Sequence, residues 1–195
     1  MNAMSLQWVR FSLALTAAAL PLAACGSEAA LGPENGAAVA ELPLAAAAAR
    51  EVDLGACQYL SPPGGSTLLF HAYAEGVQVY RWTGQAWAFD GPLATLYADA
   101  AGTGVVGSHY GGPTWEANTG GFVVGRKSKQ CDVDPADIPW LLLDAVRNVG
   151  PGVFSGVTHI QRVNTVGGQF PIGPGYPGEV RNVPYTAEYF FYRAP

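Results

Sequence analysis

The sequence predicts an all-β fold: a single-domain antiparallel meander barrel or sandwich of about eight or more strands. The chain contains 25 Gly and 15 Pro among 195 residues, and these residues cost about 1 and 3 kcal/mol each in a helix interior. Turn-forming residues recur about every 8–12 positions between short alternating runs, a spacing typical of sandwiches and barrels. Hydrophobic residues make up 49% and charged residues 13%, which favours a folded core over a disordered chain.

The N-terminus, residues 1–24, has the features of a lipoprotein-type signal peptide. Arg10 precedes an apolar segment, residues 11–20, of signal-peptide length. This segment is shorter than the roughly 20 residues of a membrane-spanning helix. The sequence LAAC ending at Cys25 resembles the lipobox of bacterial lipoproteins, in which the cysteine is acylated. We therefore predict a lipid anchor at Cys25, with the bilayer as partner; the alternative is an ordinary signal peptide.

The signal peptide predicts that the domain is exported and is joined to its lipid anchor by a flexible linker. Gly26, rather than an aspartate, follows the cysteine, and by resemblance this favours the outer membrane, facing the periplasm or the cell surface. Residues 25–50 form an Ala/Gly/Pro-rich linker without aromatics, and residues 51–195 form the β domain. The net charge is −5, which argues against nucleic acid as a partner. The basic run at residues 126–129 is interpreted as a solvated turn.

Two further cysteines, Cys57 and Cys131, remain in the predicted β domain. An even number of cysteines in an exported protein favours a disulfide. The alternative is a pair of buried free thiols.

The first half of the domain predicts five strands separated by glycine-containing turns. Residues 77–83 alternate most clearly, with Val77, Val79 and Arg81 on one face and Gln78, Tyr80 and Trp82 on the other. The predicted strands are residues 67–73, 77–83, 86–89, 93–98 and 105–110, with one turn at residues 90–92.

The second half continues the pattern. Residues 114–117 and 122–126 form a hairpin around residues 118–121, whose types suit positive φ. Residues 138–143 read as a buried strand, or as a helix capped by Asp137; the strand is preferred. The remaining predicted elements are a strand at residues 154–163, a loop at residues 167–178 and a closing strand at residues 186–193.

Six motifs in order resemble the secreted bacterial and fungal family called domain of unknown function 3455, over about residues 60–193. They are GVQVY at 76–80, GSHYGGPTWEA at 107–117, VVGR at 123–126, IPWLLL at 138–143, FSGVTHIQRVNTVGG at 154–168 and VPYTAEYFFYR at 183–193. The resemblance implies no established activity.

Fungal members of that family are sometimes labelled malate dehydrogenase, and residues 102–107 do match G-x-G-x-x-G. A dinucleotide site needs a helix directly after this motif, but residues 108–113 contain two glycines and a proline. No βαβ pattern surrounds the motif. The dehydrogenase interpretation is therefore rejected, and no cofactor is predicted.

The chain departs from the family at three places. The resemblance implies one cysteine where Trp82 stands and another in the loop where residues 171–177 contain none. Their joint absence implies that these two pair elsewhere in the family, so a Cys57–Cys131 bridge would be a different link. The family's D-G-S turn is replaced by residues 118–121.

Aromatic residues on the central strands supply the candidate ligand site, and the alternative is that most of them are core. Arg162 and Asn164 could line a pocket mouth with His109, or belong to a structural network with Thr165. The ligand-binding candidates are Tyr80, Trp82, His109, Tyr110, Trp115, Arg162 and Asn164.

No catalytic or metal site is predicted from these residues. Ser108 and His109 are neighbours on one strand, so their side chains point to opposite faces. His71 and His159 stand alone on other strands. The preferred function is a non-catalytic envelope or surface module that binds a small or carbohydrate ligand. The alternatives are a hydrolase of cell-wall or extracellular material, with carboxylates about 5–9.5 Å apart, and a structural envelope protein with a protein partner.

Overall fold

Eight antiparallel strands pair in chain order, and the last pairs with the first, so that the sheet closes into a barrel. The strands are β1 Thr67–Trp82, β2 Trp87–Tyr97, β3 Val105–Tyr110, β4 Thr114–Ala117, β5 Phe122–Cys131, β6 Trp140–Val149, β7 His159–Gly167 and β8 Val180–Arg193. The predicted all-β fold is confirmed, and the structure is a meander barrel rather than a sandwich.

The computed structural model describes residues 52–195. The predicted signal peptide, the anchor Cys25 and the linker at residues 25–50 lie outside the described residues. No helix within residues 52–195 is long and apolar enough to cross a membrane.

Side chains alternate between the barrel interior and its outer surface, as the two-residue period of a strand requires. On β1 the buried positions include Ala72, Ala74, Gln78 and Tyr80. The faces predicted for residues 77–82 are therefore confirmed, with Gln78 and Tyr80 on the inner side. On β8 the inner positions are Tyr185, Ala187, Tyr189 and Phe191.

Two predicted strand breaks are wrong, because the strands continue through them. Residues 74–76 remain part of β1, and residues 90–92 lie inside β2. Val79 pairs with Gly91 while Tyr80 pairs with Phe89, so Asp90 is an extra residue on β2. A β-bulge of this kind bends a strand without ending it.

Three other segments either differ from the predicted secondary structure or decide between two predicted alternatives. The basic run at residues 126–129 is exposed but belongs to β5, where Arg126 pairs with Asp144 of β6. Residues 140–143 are strand, so the helix alternative is wrong. Residues 154–158 precede β7 as a loop, because Phe154 and Val157 turn inward and are buried.

That loop closes one end of the barrel. The Phe154 ring contacts the rings of Phe70 and Phe191, with centroids 5.7 and 4.9 Å apart. The turns that join β1 to β2, β3 to β4, β5 to β6 and β7 to β8 lie at the opposite end. Buried side chains therefore close the barrel at this end. The space that they leave inside the barrel lies toward the opposite end.

A second, smaller core lies on the outside of the barrel. A short 3-10 helix, Gly55–Leu60, brings Leu54, Cys57 and Leu60 against Leu142, Val163 and Phe190. The predicted disulfide between Cys57 and Cys131 is present and fastens this helix to the end of β5. Buried Gln161 adds a hydrogen bond from its Nε2 to the Leu60 carbonyl at 2.9 Å.

Candidate ligand cavity

A cavity of about 610 Å³ occupies the open end of the barrel. Its volume falls in the range of about 300–1,000 Å³ that is usual for small-molecule sites. The lining comes mainly from inward-facing strand residues and from the loops at that end. The lining residues include Gln78, Tyr80, Phe89, Asp90, His109, Trp115, Lys127, Gln130, Asp132, Ile138, Pro139, Leu141, Leu143, Arg162, Phe170 and Tyr189.

Three aromatic rings in mutual contact form the base of the cavity. His109 on β3 and Trp115 on β4 are direct cross-strand partners, and their ring centroids lie 4.3 Å apart with planes 8° apart. Tyr189 packs edge-on against both, at 5.0 Å from His109 and 5.3 Å from Trp115. Edge-to-face and offset packing of this kind is the favourable geometry for aromatic pairs.

The His109 imidazole is neutral at physiological pH. Burial lowers the pKa of His109 to about 3; the nearby Arg162 charge acts in the same direction, while the hydrogen bond to Thr114 opposes it. Nδ1 lies 2.8 Å from the Thr114 carbonyl oxygen, which can only accept. Nδ1 therefore carries the proton, and Nε2 is left as an acceptor.

Arg162 brings a positive charge to the cavity. It stands on β7 between Leu141 of β6 and Tyr189 of β8. Its Nε and Nη2 donate to the Pro139 carbonyl at 3.2 and 2.8 Å, which leaves three of the five guanidinium N–H donors. Among residues 52–195 no carboxylate forms an ion pair with Arg162.

Four buried polar atoms of the described chain form no hydrogen bond: Gln78 Nε2, Trp115 Nε1 and the hydroxyls of Tyr185 and Tyr189. The Tyr189 hydroxyl lies near Tyr185 and near the Arg162 guanidinium, and Gln78 lies near the Tyr185 hydroxyl, but none of these contacts has hydrogen-bond geometry. Burial, the main cause, raises the pKa of Tyr185 and of Tyr189. Both hydroxyls are therefore protonated and able to donate.

The mouth of the cavity is apolar on one side and polar on the other. Tyr80 donates from its hydroxyl to the Gly168 carbonyl at 2.6 Å, and burial raises the pKa of Tyr80 to about 12. The rings of Phe89 and Phe170 lie 5.6 and 4.6 Å from it, and each is about half exposed at 50% and 53%. Asp90, at the same rim, is held by Arg81 at 2.8 Å.

Four of the seven ligand-binding candidates line the cavity: Tyr80, His109, Trp115 and Arg162. The structure thus brings together residues from β1, β3, β4 and β7. Arg162 also holds a loop through Pro139, and Thr165 does the same through the Ile138 carbonyl at 2.6 Å. Both interpretations of this segment, pocket lining and structural network, therefore apply.

The other three candidates lie away from the cavity. Trp82 packs against Trp87, with centroids 5.3 Å apart. Tyr110 points outward and donates from its hydroxyl to Glu116 at 2.8 Å. Asn164 is exposed and donates to Glu188 at 2.9 Å.

The sequence reasoning missed Gln78, Leu141, Leu143 and Tyr189. The two-residue period places Gln78 on the face of Tyr80, so this residue could have been found. Tyr189 is adjacent to Arg162 only through the pairing of β7 with β8, which no local pattern shows.

The histidines outside the cavity and the neighbour of His109 have structural surroundings. His71 contacts Glu188 at 2.9 Å, and its ring stacks on Phe190 at 4.0 Å. His159 lies 2.9 Å from the Thr158 hydroxyl. Ser108 is exposed on the face opposite His109, as predicted. Within residues 52–195 no group of three or more His, Cys, Asp or Glu is placed to hold a metal.

The sequence profile of a family described as "Protein of unknown function (DUF3455)" matches residues 62–193, more than half of the chain. The chain belongs to this family. No curated protein and no solved structure matched it. The part that matches DUF3455 includes all eight strands and every residue that lines the cavity. Cys57 lies outside the match.

The DUF3455 resemblance implied a family cysteine at the position of Trp82 and another in the loop after β7. The Trp82 amide donates to the Glu179 carbonyl at 2.8 Å, and the Gly178 amide donates to the Trp82 carbonyl at 2.9 Å. Position 82 therefore adjoins that loop. In this member, Trp87 fastens the same loop by donating from Nε1 to the Gly173 carbonyl at 2.9 Å.

Proposed function

We propose that this protein is an exported, lipid-anchored binding module that holds a small molecule inside its barrel. The observation that carries the proposal is a cavity of about 610 Å³ lined by aromatic and apolar side chains and by Arg162, which pairs with no carboxylate of residues 52–195. Export and the acylation of Cys25 rest on the sequence of the N-terminus.

Arg162 gives a physical reason for a ligand. A polar group that is removed from water without a partner costs about 1–3 kcal/mol, and more when the group is charged. Arg162 is part-buried, lines the cavity and keeps three guanidinium N–H groups beyond its bonds to the Pro139 carbonyl. A bound molecule that accepts hydrogen bonds from these groups would recover part of that cost at one fixed position.

The shape of the site favours a small molecule over a long polysaccharide. Phe154, Val157 and Phe191 close the far end of the barrel, so a chain cannot pass through. A polysaccharide would need an open groove or would bind by its end alone. The apolar lining, which includes Leu141, Leu143 and Phe170, instead suits a compact molecule with an apolar body.

The test is a ligand screen on the purified protein carrying Cys25→Ser, which prevents acylation. Small aromatic acids, aliphatic acids, their neutral analogues and sugar fragments are compared by thermal shift and by tryptophan emission, to which Trp115 contributes. A ligand at about 100 times its Kd stabilises by roughly 2.7 kcal/mol. We expect a saturable shift with one chemical class.

A cavity-filling variant separates binding in the barrel from binding at the surface. Leu141→Trp adds bulk at a position that lines the cavity and should abolish the shift. Val146→Trp adds a similar bulk on the same strand at a residue that is 50% exposed, and it should leave the shift unchanged. Equal loss in both variants, or retention in both, would contradict a site in the barrel.

A further inference from the structure

We propose that the ligand is a small carboxylate whose charged group pairs with Arg162 and whose apolar or aromatic body fills the cavity. This inference rests on the proposed function, because it names the chemical class of ligand for the same site. It follows from the balance of charge, from the supply of donors and from the apolar lining.

The charge balance leaves Arg162 without a counter-ion inside the described barrel. Arg162 is part-buried, and charged side chains that are removed from water are usually paired. Of the two carboxylates that line the cavity, Asp90 pairs with Arg81 at 2.8 Å, whereas Asp132 accepts from the neutral Gln130 amide at 3.0 Å and forms no ion pair with Arg162. Lys127, the other cation of the lining, donates to the Gln130 amide oxygen at 3.0 Å and has no carboxylate partner within residues 52–195. An anionic ligand would supply the missing negative charge.

The positive potential of Arg162 acts on the whole base of the cavity. Its charge contributes to lowering the pKa of Tyr80, His109, Tyr185 and Tyr189, although burial is the larger effect on each of the four. His109 and the tyrosines are neutral at physiological pH. A negative group placed among these side chains would therefore meet one uncompensated positive charge.

The free groups around Arg162 are mainly donors. Three guanidinium N–H groups remain after the two bonds to Pro139, and the Tyr189 hydroxyl beside them forms no hydrogen bond. A carboxylate offers two oxygens that only accept, and it matches the planar guanidinium well. A sugar hydroxyl, unlike a carboxylate, also carries a hydrogen that needs an acceptor. At the base of the cavity His109 Nε2 can accept, because Nδ1 holds the proton that binds the Thr114 carbonyl.

The body of the ligand is assigned from the walls. Ile138, Leu141, Leu143 and Trp115 line the cavity together with the exposed Phe170 ring at its mouth. Burial of apolar surface is favourable, so a ring or short chain attached to the carboxylate would gain affinity from these contacts. A free inorganic anion would not.

The test compares matched acids and amides by calorimetry and thermal shift on the Cys25→Ser protein. The probes are benzoate with benzamide and 4-phenylbutyrate with 4-phenylbutyramide, which share a body and differ in charge. We expect at least one acid to bind about tenfold or more tightly than its amide. Arg162→Met should remove that preference, and Arg162→Lys should keep part of it because the charge remains.

Arg126→Met is the matched control, because Arg126 is exposed on the outer face of β5 and contacts Asp144 at 3.5 Å. It should leave the preference for acids unchanged. The comparison of acid with amide in the unsubstituted cavity needs no variant, so it stands even if Arg162→Met fails to fold.

The outcomes distinguish this inference from the function on which it rests. Equal binding of acids and amides, abolished by Leu141→Trp, would overturn the carboxylate assignment and keep the binding module. A preference for acids that persists in Arg162→Met would overturn the role of Arg162. If neither acid nor amide binds at millimolar concentration, the carboxylate assignment is overturned, and a shift with sugar fragments alone would then retain the proposed function.

Discussion

The imidazole of His109 lies flat against the indole of Trp115, with ring centroids 4.3 Å apart. His109 is 3% and Trp115 1% exposed. The hydrogen bond from His109 Nδ1 to the Thr114 carbonyl fixes the orientation of the ring. A proton on Nε2 would therefore bring a second positive charge into a site that already holds Arg162.

This arrangement predicts a loss of stability in mild acid. Burial lowers the pKa of His109 in the folded state to about 3, from 6.5. Below about pH 6.5 the unfolded chain binds a proton that the folded chain does not, so the contribution of His109 to stability falls continuously from pH 6.5 to about pH 3. Between pH 7 and pH 5 the loss is about 2 kcal/mol. Urea unfolding at pH 7, 6 and 5 measures it.

His109→Gln should flatten this pH dependence, because it keeps a donor for Thr114 and cannot titrate. His159→Gln, at a half-buried histidine on the outer face, is the control and should keep the slope due to His109. The same slope in His109→Gln and in the unsubstituted protein would show that His109 does not cause the effect.

The strand pattern of the barrel could be predicted because it is local. The alternation of Gln78 and Tyr80 with Val77 and Val79 assigns the inner face of β1, and burial follows that pattern. The glycine-rich turn at residues 118–121 likewise joins the predicted pair, β4 and β5.

The assembly of the cavity could not be predicted in this way, because it depends on pairing across the barrel. Arg162 and Tyr189 are neighbours only once β7 and β8 are in register. The Asp90 bulge reads as a turn, since Asp-Gly-Pro suits both. Phe154 reads as part of a strand, and only the closed barrel shows that it plugs one end.

Gly76 is required by the close contact between β1 and β2. A Cβ at this position would lie 2.2 Å from the Leu93 carbonyl oxygen and 2.5 Å from the Ala94 Cα, and both are backbone atoms that cannot move aside. We expect Gly76→Ala to lower the free energy of unfolding by about 3 kcal/mol or more. Thermal and urea denaturation measure the change.

Gly64→Ala is the matched control for this prediction. Gly64 lies in the loop before β1, and no neighbouring atom comes within 4 Å of the point that a Cβ would occupy there. Its replacement should therefore change stability by less than about 0.5 kcal/mol. Similar effects of the two substitutions would argue against a steric cause at Gly76.

Cys25 should determine where the protein is found in the cell. If the cysteine is acylated, more than one acyl chain holds the protein stably on a membrane, whereas a single chain binds only marginally. Cys25→Ser should therefore move the protein from the membrane fraction to the soluble fraction after cell lysis. Persistence of the variant in the membrane fraction would contradict the lipobox interpretation; Cys57→Ser is a control that should not change the fractionation.

The disulfide between Cys57 and Cys131 joins residues 74 positions apart and links the 3-10 helix to β5. Closing a loop of this length stabilises the folded state by about 4 kcal/mol in the chain-entropy description. The double substitution Cys57→Ala with Cys131→Ala should lower the free energy of unfolding by roughly that amount, as measured by urea denaturation.

The structural consequence of removing this bridge should be local. The 3-10 helix retains Leu54 and Leu60 against Leu142 and Phe190, together with the bond from Gln161 to Leu60, so it should loosen without opening the barrel. Hydrogen exchange should therefore increase at residues 54–61 and change little at Trp115. Because no residue of this helix lines the cavity, ligand affinity should be unaltered. A loss of affinity equal to the loss of stability would show that the outer helix also shapes the cavity.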